Sequence, residues 1–379
     1  MVEREIKKKY KVLFDVYHLY HLPQMEPVAR LMLKNPLFDI YFSTSHETNS
    51  EEKFLTTKIF KKNSWNYILG QNEIERQNLI YSMNFDVFIC GWSRYPIEKF
   101  CSLSTLCCMI YHGIGIKPTY YRDHNQRIDI RFIEGSFREK QLREYGIQTD
   151  LELVGFAKLD PLFNGDIGKQ SEILKQLNLD TSKKTILYAP TFYPSSLEVF
   201  KLKLPEITKK YNLIIKLHHY VYFRSRFGGA NLKKQLKLVE KIKKRFPSVK
   251  IIDPEDYNIL QLYRAADVLL TEASSTIYEM MTLQKHVIIC NFFKKKLSHK
   301  INRKKIFKRR IDQNMMSALT DFCYHINSPE ELSEAIDKCF YKPDPFIDIR
   351  KKYIDDMLYK LDGKASERVV DALLKRLKK

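Results

Sequence analysis

The chain has few of the features that mark a membrane-spanning, disulfide-built or metal-dependent protein. No run approaches eighteen uninterrupted apolar residues, and the opening stretch MVEREIKKKY carries no apolar segment of the secretory kind. The expectation is therefore a protein made and kept in the cytosol. Seven cysteines, an odd number without a CxxC pair, speak against both a disulfide framework and a zinc knuckle. Cys107 and Cys108 are expected simply to pack within a buried strand. No Asp-x-Asp triad occurs, so the sequence implies neither a metal nor another cofactor. Acids are also scarce, 45 against 65 Lys and Arg, which leaves a net charge of +20.

Self-repulsion on that scale favours acidic partners. Ten Lys or Arg and no acid lie between Asn291 and Arg310, interleaved with Phe292, Phe293, Ile301, Ile306 and Phe307. The C-terminal VVDALLKRLKK is a second basic, amphipathic element. Both suit an anionic membrane surface, and the run Lys294 to Arg310 predicts peripheral attachment to the inner face of a membrane. Nucleic acid is not expected, because aromatic residues interleaved with glycine on exposed strands, as in RNP-type sheets, are absent.

With 379 residues and 44% hydrophobic content the chain can build two cores. Short apolar, β-branched runs alternate with amphipathic helical patterns from end to end, which predicts βαβ units and parallel sheets. In the first half the predicted strands centre near Val12, Ile40, Val87, Met109 and Phe132. In the second half they centre near Leu187, Ile214, Ile251, Leu269 and Ile288. Pro, Gly, Asn and Asp gather in DPLFNGDIGK, Asp160 to Lys169, which places a joint there. The fold class is α/β: two Rossmann-like domains, 1–163 and 164–345, with parallel sheets facing a cleft. The helices of 346–379 follow and are expected to pack back on the first domain.

Ligands of open α/β sheets bind beyond the carboxyl ends of strands. The most informative ending is ADVLL running into TEASSTIYE, a strand delivering Ser274 and Ser275 to a helix start, where backbone amides and hydroxyls suit a phosphate or diphosphate. Glu279, one turn later, can accept hydrogen bonds from a ribose diol, and Glu272 closes the strand. Ser and Glu are equally the ordinary residues of a capped helix. The other endings are His112-Gly113, Thr191, and Lys216 with His218. His112, followed by Gly113 and Gly115, suits general-base work on an acceptor hydroxyl, since an unperturbed imidazole titrates at about 6.5. His218 suits donation to a departing phosphate. The loop DVYHLYH offers Asp15, His18 and His21 as a metal site or an acceptor contact. The acceptor contact is favoured, because three ligands in one short loop lack a fourth.

These motifs resemble those of the CDP-glycerol glycerophosphotransferases of teichoic acid and capsule synthesis. YHGIGIK at Tyr111 to Lys117 resembles that family's WHG…K segment, and YAPTF at Tyr188 to Phe192 matches its form. KLHH at Lys216 to His219 is similar to its KLHP, and ADVLLTEASSTIYE at Ala266 to Glu279 is similar to ADVLITDYSS followed by an acidic position. The resemblance implies the GT-B fold and transfer of a glycerophosphate or related polyol phosphate from a CDP-linked donor, with release of CMP. The acceptor would be a hydroxyl on a lipid-linked or cell-surface glycan or polymer. It implies His112 as base, with Gly113 and Lys117 on the acceptor side. His218, Lys216, Thr191, Glu272, Ser274 and Ser275 would meet the donor diphosphate, and Glu279 the ribose. Tyr111 stands in place of Trp, His219 in place of Pro, and Glu272 in place of Asp. A glycosyltransferase using a nucleotide sugar, or a nucleotide-sugar 2-epimerase, would share the architecture. Base recognition leaves no side-chain signature, although the strand end at Ile252 and Asp253 is where such folds usually meet a base.

Overall fold

The computed structural model describes residues 9–114, 121, 124–224, 226–227, 230–294 and 319–378. Two compact units divide the chain. The first comprises Met1–Gly113, Tyr121–Asn164 and Met357–Lys379, and the second Ile114–Tyr120 and Gly165–Asp356. Among the described residues no helix is long and apolar enough to cross a membrane.

The first unit is built on seven parallel strands: β1 (Tyr10–Asp15), β2 (Phe38–Ser43), β3 (Asn66–Ile68), β4 (Val87–Cys90), β5 (Leu106–Ile110), β6 (Ile130–Ile133) and β7 (Asp150–Leu153). Their order is β3-β2-β1-β4-β5-β6-β7. Connections run outward to one side from β1 and to the other from β4, so the crevice past the ends of β1 and β4 is the place such a sheet offers a ligand. The inner strands explain themselves: Val-Phe-Ile-Cys in β4 is buried at every position, as a strand covered by helices on both faces must be.

The second unit repeats the plan with six parallel strands, β8 (Thr185–Tyr188), β9 (Asn212–Ile215), β12 (Lys250–Ile251), β13 (Val268–Thr271), β14 (His286–Cys290) and β15 (Tyr324–Ile326). A separate two-stranded ribbon joins β10 (Arg226–Phe227) to β11 (Ala230–Asn231). The order β12-β9-β8-β13-β14-β15 puts its reversal between β8 and β13. All ten predicted strands are present, and the α/β class with two parallel-sheet units is as expected. The strands of the two parallel sheets not foreseen in the sequence, β3, β7 and β15, are sheet edges of three or four residues, and the two-residue ribbon strands β10 and β11 were not foreseen either.

The C-terminal helix Ala365–Leu377 belongs to the first unit and packs on the helix Leu22–Leu33. Asp160 anchors its start: Oδ1 accepts from the Ala365 amide at 3.0 Å and Oδ2 from the Ser366 amide at 2.7 Å. A carboxylate there satisfies two amides that a helix start leaves unpaired and faces the positive end of the helix dipole. Val369, Val370 and Leu373 turn inward and are buried, while Arg376 reaches Asp150 of β7 at 2.7 Å. This corrects the reading of VVDALLKRLKK as a membrane-seeking element, since its apolar stripe is already spent on the core of its own unit. The basic run behind the other membrane expectation, beyond Lys294, lies outside the described residues.

Candidate functional site

In the first unit the site grows from the ends of three adjacent strands. β5 runs into Tyr111 and His112, β4 into Gly91 and Trp92, and β1 into Val16, Tyr17 and His18. The parallel register sets Cys90 beside both Asp15 and Met109, so the three endings leave the sheet together. His112 Nδ1 lies 2.8 Å from the carbonyl oxygen of Gly91. A carbonyl only accepts, so Nδ1 carries the proton and the lone pair of the neutral ring sits on Nε2. The backbone of His112 is held as firmly: its carbonyl accepts from Gln24 Nε2 at 2.8 Å, and the Gly113 carbonyl accepts from Arg138 Nη2 at 3.4 Å.

Aromatic rings surround this imidazole. Tyr20 meets it edge-on at 5.4 Å between ring centres, and His21 lies 4.7 Å away. His21 is fully buried, and neither of its ring nitrogens has a hydrogen-bond partner among the described residues. Burial, and secondarily its nearness to His112 and His18, pushes its pKa well below the usual imidazole value and keeps it neutral. A Cβ added to Gly91 would come within 3.0 Å of the His21 ring. Glycine at position 91 leaves room for the His21 ring, while its backbone carbonyl orients His112. His18 is buried with Nδ1 3.1 Å from Glu52 Oε1, which also accepts from the Leu19 amide at 3.0 Å.

Asp15 is placed differently from the acceptor or metal contact expected of it. Its side chain is entirely buried; Oδ1 takes a hydrogen bond from Arg76 Nη1 at 2.7 Å and Oδ2 one from the Tyr95 hydroxyl at 2.5 Å. A buried ion pair of this kind is a structural clamp, and removing one partner costs roughly 3–5 kcal/mol. Lys117 lies outside the described residues.

In the second unit the corresponding place is the reversal between β8 and β13. His218 opens the short helix His219–Phe223, and its Nδ1 accepts from the Tyr220 amide at 3.1 Å. An amide only donates, so the neutral ring carries its proton on Nε2, the opposite tautomer from His112. Phe192 and Tyr220 flank the ring at 4.7 and 5.1 Å. Lys216 Nζ donates to the Asp256 carbonyl at 2.5 Å, and the Tyr222 hydroxyl donates to the Ile252 carbonyl at 2.9 Å. Ser274 and Ser275 are half-buried at the start of the helix Thr276–Met281. Ser274 Oγ accepts from the Thr276 amide at 3.4 Å, a bond that does not use its hydroxyl proton.

Three donor-side expectations change. Glu272 is buried, with Oε2 accepting from the Thr191 amide at 2.6 Å and Oε1 from the amide and hydroxyl of Ser196 at 2.7 and 2.5 Å. It ties the segment after β8 to the end of β13 rather than facing a diphosphate. Thr191 gives its amide to Glu272 and its hydroxyl proton to the Pro194 carbonyl, so no proton remains for a phosphate. Glu279 is buried with Oε2 accepting from the Tyr263 hydroxyl at 2.9 Å, so a ribose would have to compete with that bond. Gly91, Gln24 and Tyr20 were not among the expected residues. Gly91 was legible, because the strand ending FDVFICG closes on it just as the next strand closes on His112.

The family model described as CDP-Glycerol:Poly(glycerophosphate) glycerophosphotransferase matches residues 137–375. The teichoic acid glycerol-phosphate primase of Bacillus subtilis (strain 168) is 27% identical over 157 residues, 40% of this chain. The matched part spans 36% of that primase's length. Structures of the wall teichoic acid polymerase TagF superpose with a TM-score of 0.68 at 16% identity, covering 97% of this chain and 89% of that one. A TagF variant soaked with CDPG gives 0.70 at 16% identity over 100% and 91%. A UDP-N-acetylglucosamine 2-epimerase described for Listeria monocytogenes gives 0.59 at 12% over 98% and 97%, a likeness of fold.

Burial raises the Glu272 carboxyl from its ordinary 4.5 to about 7 against the opposing hydrogen bonds from Ser196 and Thr191. The folded chain therefore keeps a proton that the unfolded chain gives up, and this group's contribution to stability is present below pH 4.5 and lost as pH rises to about 7. Denaturant unfolding across that window is expected to show a decline in the wild type that is absent from Glu272→Gln; parallel profiles would contradict the assignment.

Proposed function

This chain belongs to the CDP-glycerol:poly(glycerophosphate) glycerophosphotransferase family, and from that premise we propose that it transfers glycerophosphate, or a related polyol phosphate, from a CDP-linked donor to an acceptor hydroxyl and releases CMP. The observation that carries the proposal is the pair of opposite tautomers. With its lone pair on Nε2, His112 can receive the acceptor's proton. With its proton on Nε2, His218 can donate to an oxygen that gains negative charge.

Phosphoryl transfer asks for little covalent work by the protein, so positioning and charge stabilisation dominate. As the acceptor oxygen approaches the phosphorus of the transferred group, His112 removes its proton. The P–O bond to CMP breaks in line with that attack. Charge accumulating on the departing phosphate is met by His218 Nε2–H and by the hydroxyls and amides of Ser274 and Ser275. Lys216 adds positive charge on the same unit. Glu272 holds the Thr191–Ser196 segment in register, and a ribose reaching Glu279 would take the place of the Tyr263 hydroxyl. On the acceptor side we assign His18, His21, Gly113 and Lys117, with Tyr20 bordering the base. The acceptor itself is a hydroxyl of a lipid-linked or cell-surface glycan or polymer. A lipid-linked acceptor gives the basic run a purpose, holding the enzyme peripherally on the anionic inner face of the membrane.

Incubation of the wild type with CDP-glycerol and a glycan acceptor should liberate CMP, and UDP-sugars should give no UDP. His112→Ala and His218→Ala should each lower turnover by roughly 10²–10⁴-fold, the range of general acid–base catalysis, with unchanged thermal unfolding. Near-normal turnover in a folded His112→Ala protein would refute the base. For membrane attachment, sedimentation with vesicles should retain the protein only when anionic lipid is present. Neutralising Lys294 to Lys296 should weaken that retention, and equal recovery with neutral vesicles would remove the claim.

A further inference from the structure

Away from the imidazoles, the first unit brings two thiols together. Cys101 follows the single turn Ile97–Lys99, and Cys107 lies in β5; their sulfur atoms are 3.1 Å apart. Both side chains are nearly or fully buried, Cys101 at 6% exposure being the more accessible. The turn between them is held from several sides. Arg127 Nη2 donates to the Ser102 and Thr105 carbonyls at 2.7 and 2.6 Å, and its Nη1 pairs with Asp129 at 2.9 Å. The Thr105 hydroxyl donates to the Phe85 carbonyl at 2.9 Å, and the Cys107 amide donates to Asp129 at 2.7 Å. Two sulfurs held at this separation need only about 1 Å of approach to reach bonding distance.

We propose that Cys101 and Cys107 form a peroxide-sensitive dithiol that closes to an intramolecular disulfide. The hydrogen bond from the Cys107 thiol, reinforced by the Arg127 guanidinium, holds the Cys101 thiol below its ordinary range, while the same bond and burial hold Cys107 above it. That asymmetry assigns the order of events. The Cys101 thiolate attacks hydrogen peroxide, breaking the O–O bond; hydroxide leaves and takes up a proton to give water, and the sulfur becomes a sulfenic acid. The Cys107 sulfur then attacks that sulfur, loses its proton, and displaces the hydroxyl as a second water. Two thiols and one peroxide give one disulfide and two waters.

The bond would tie the far end of the segment that begins at Gly91 to the strand that ends at His112. One end of that segment orients the imidazole through the Gly91 carbonyl, and the other would be fixed covalently. The remaining cysteines, Cys90, Cys108, Cys290, Cys323 and Cys339, are buried and in no disulfide, and none is expected to pair.

The test is a thiol map of the full chain, independent of any assay of transfer. Folded protein is exposed to mild hydrogen peroxide, quenched with acid, denatured and alkylated, then digested for mass spectrometry. The expected result is two fewer alkylated cysteines, an intact mass lower by about 2 Da before alkylation, and a fragment linking Cys101 to Cys107 that dithiothreitol opens. Cys101→Ala and Cys107→Ala should each abolish the loss. Alkylation of all seven cysteines after peroxide overturns the proposal, as does a linked fragment containing another cysteine. Both outcomes are read on the wild type, so a variant that fails to fold does not obscure them.

Discussion

One hydrogen bond sets the chemistry available to the first unit: the His112 Nδ1–H donated to the Gly91 carbonyl. It decides which nitrogen holds a lone pair and fixes the ring against the ends of β4 and β5, at a position where a Cβ would press on the His21 ring. In the second unit the Tyr220 amide imposes the reverse state on His218. Backbone groups do this work on both sides, and they do it through secondary structure, a strand ending in one case and a helix cap in the other. The two imidazoles are consequently held in opposite tautomers.

The strand endings would not hold these positions without a buried acid at each sheet's reversal. Asp15 at the end of β1 binds Arg76 and Tyr95; Glu272 after β13 binds Thr191 and Ser196. Each gathers backbone or side-chain donors where parallel strands diverge and the ladder of hydrogen bonds has run out. Desolvation of such a group is costly, by a few kcal/mol if one partner is removed, so these acids are commitments of the fold rather than contacts for a substrate.

That distinction marks the limit of what the residues alone disclose. Inner strands such as Val87–Cys90 and Val268–Thr271 are legible because burial on both faces demands an unbroken apolar run. The edge strands β3, β7 and β15 are not, because one neighbour and a half-exposed face leave only three or four residues with no clear period. His112, His218, Ser274 and Ser275 are legible from position, since each follows a strand ending. Asp15, Glu272 and Thr191 share that position yet turn inward, and only their partners, 61 to 81 residues away in sequence, reveal it. Gln24 is hidden for the same reason: it comes from a helix and reaches His112 across 88 residues. The C-terminal helix shows the converse error, an amphipathic stripe whose partner is the helix Leu22–Leu33 rather than a lipid surface.

The assignment of base and donor rests on where two protons reside, and that is directly measurable. Long-range proton–nitrogen correlation spectra of the histidine rings, recorded at neutral pH on uniformly ¹⁵N-labelled protein and assigned through His112→Gln and His218→Gln, report the tautomer of each ring. The account requires His112 protonated on Nδ1 and His218 protonated on Nε2. The same tautomer at both, or His112 protonated on Nε2, would contradict it.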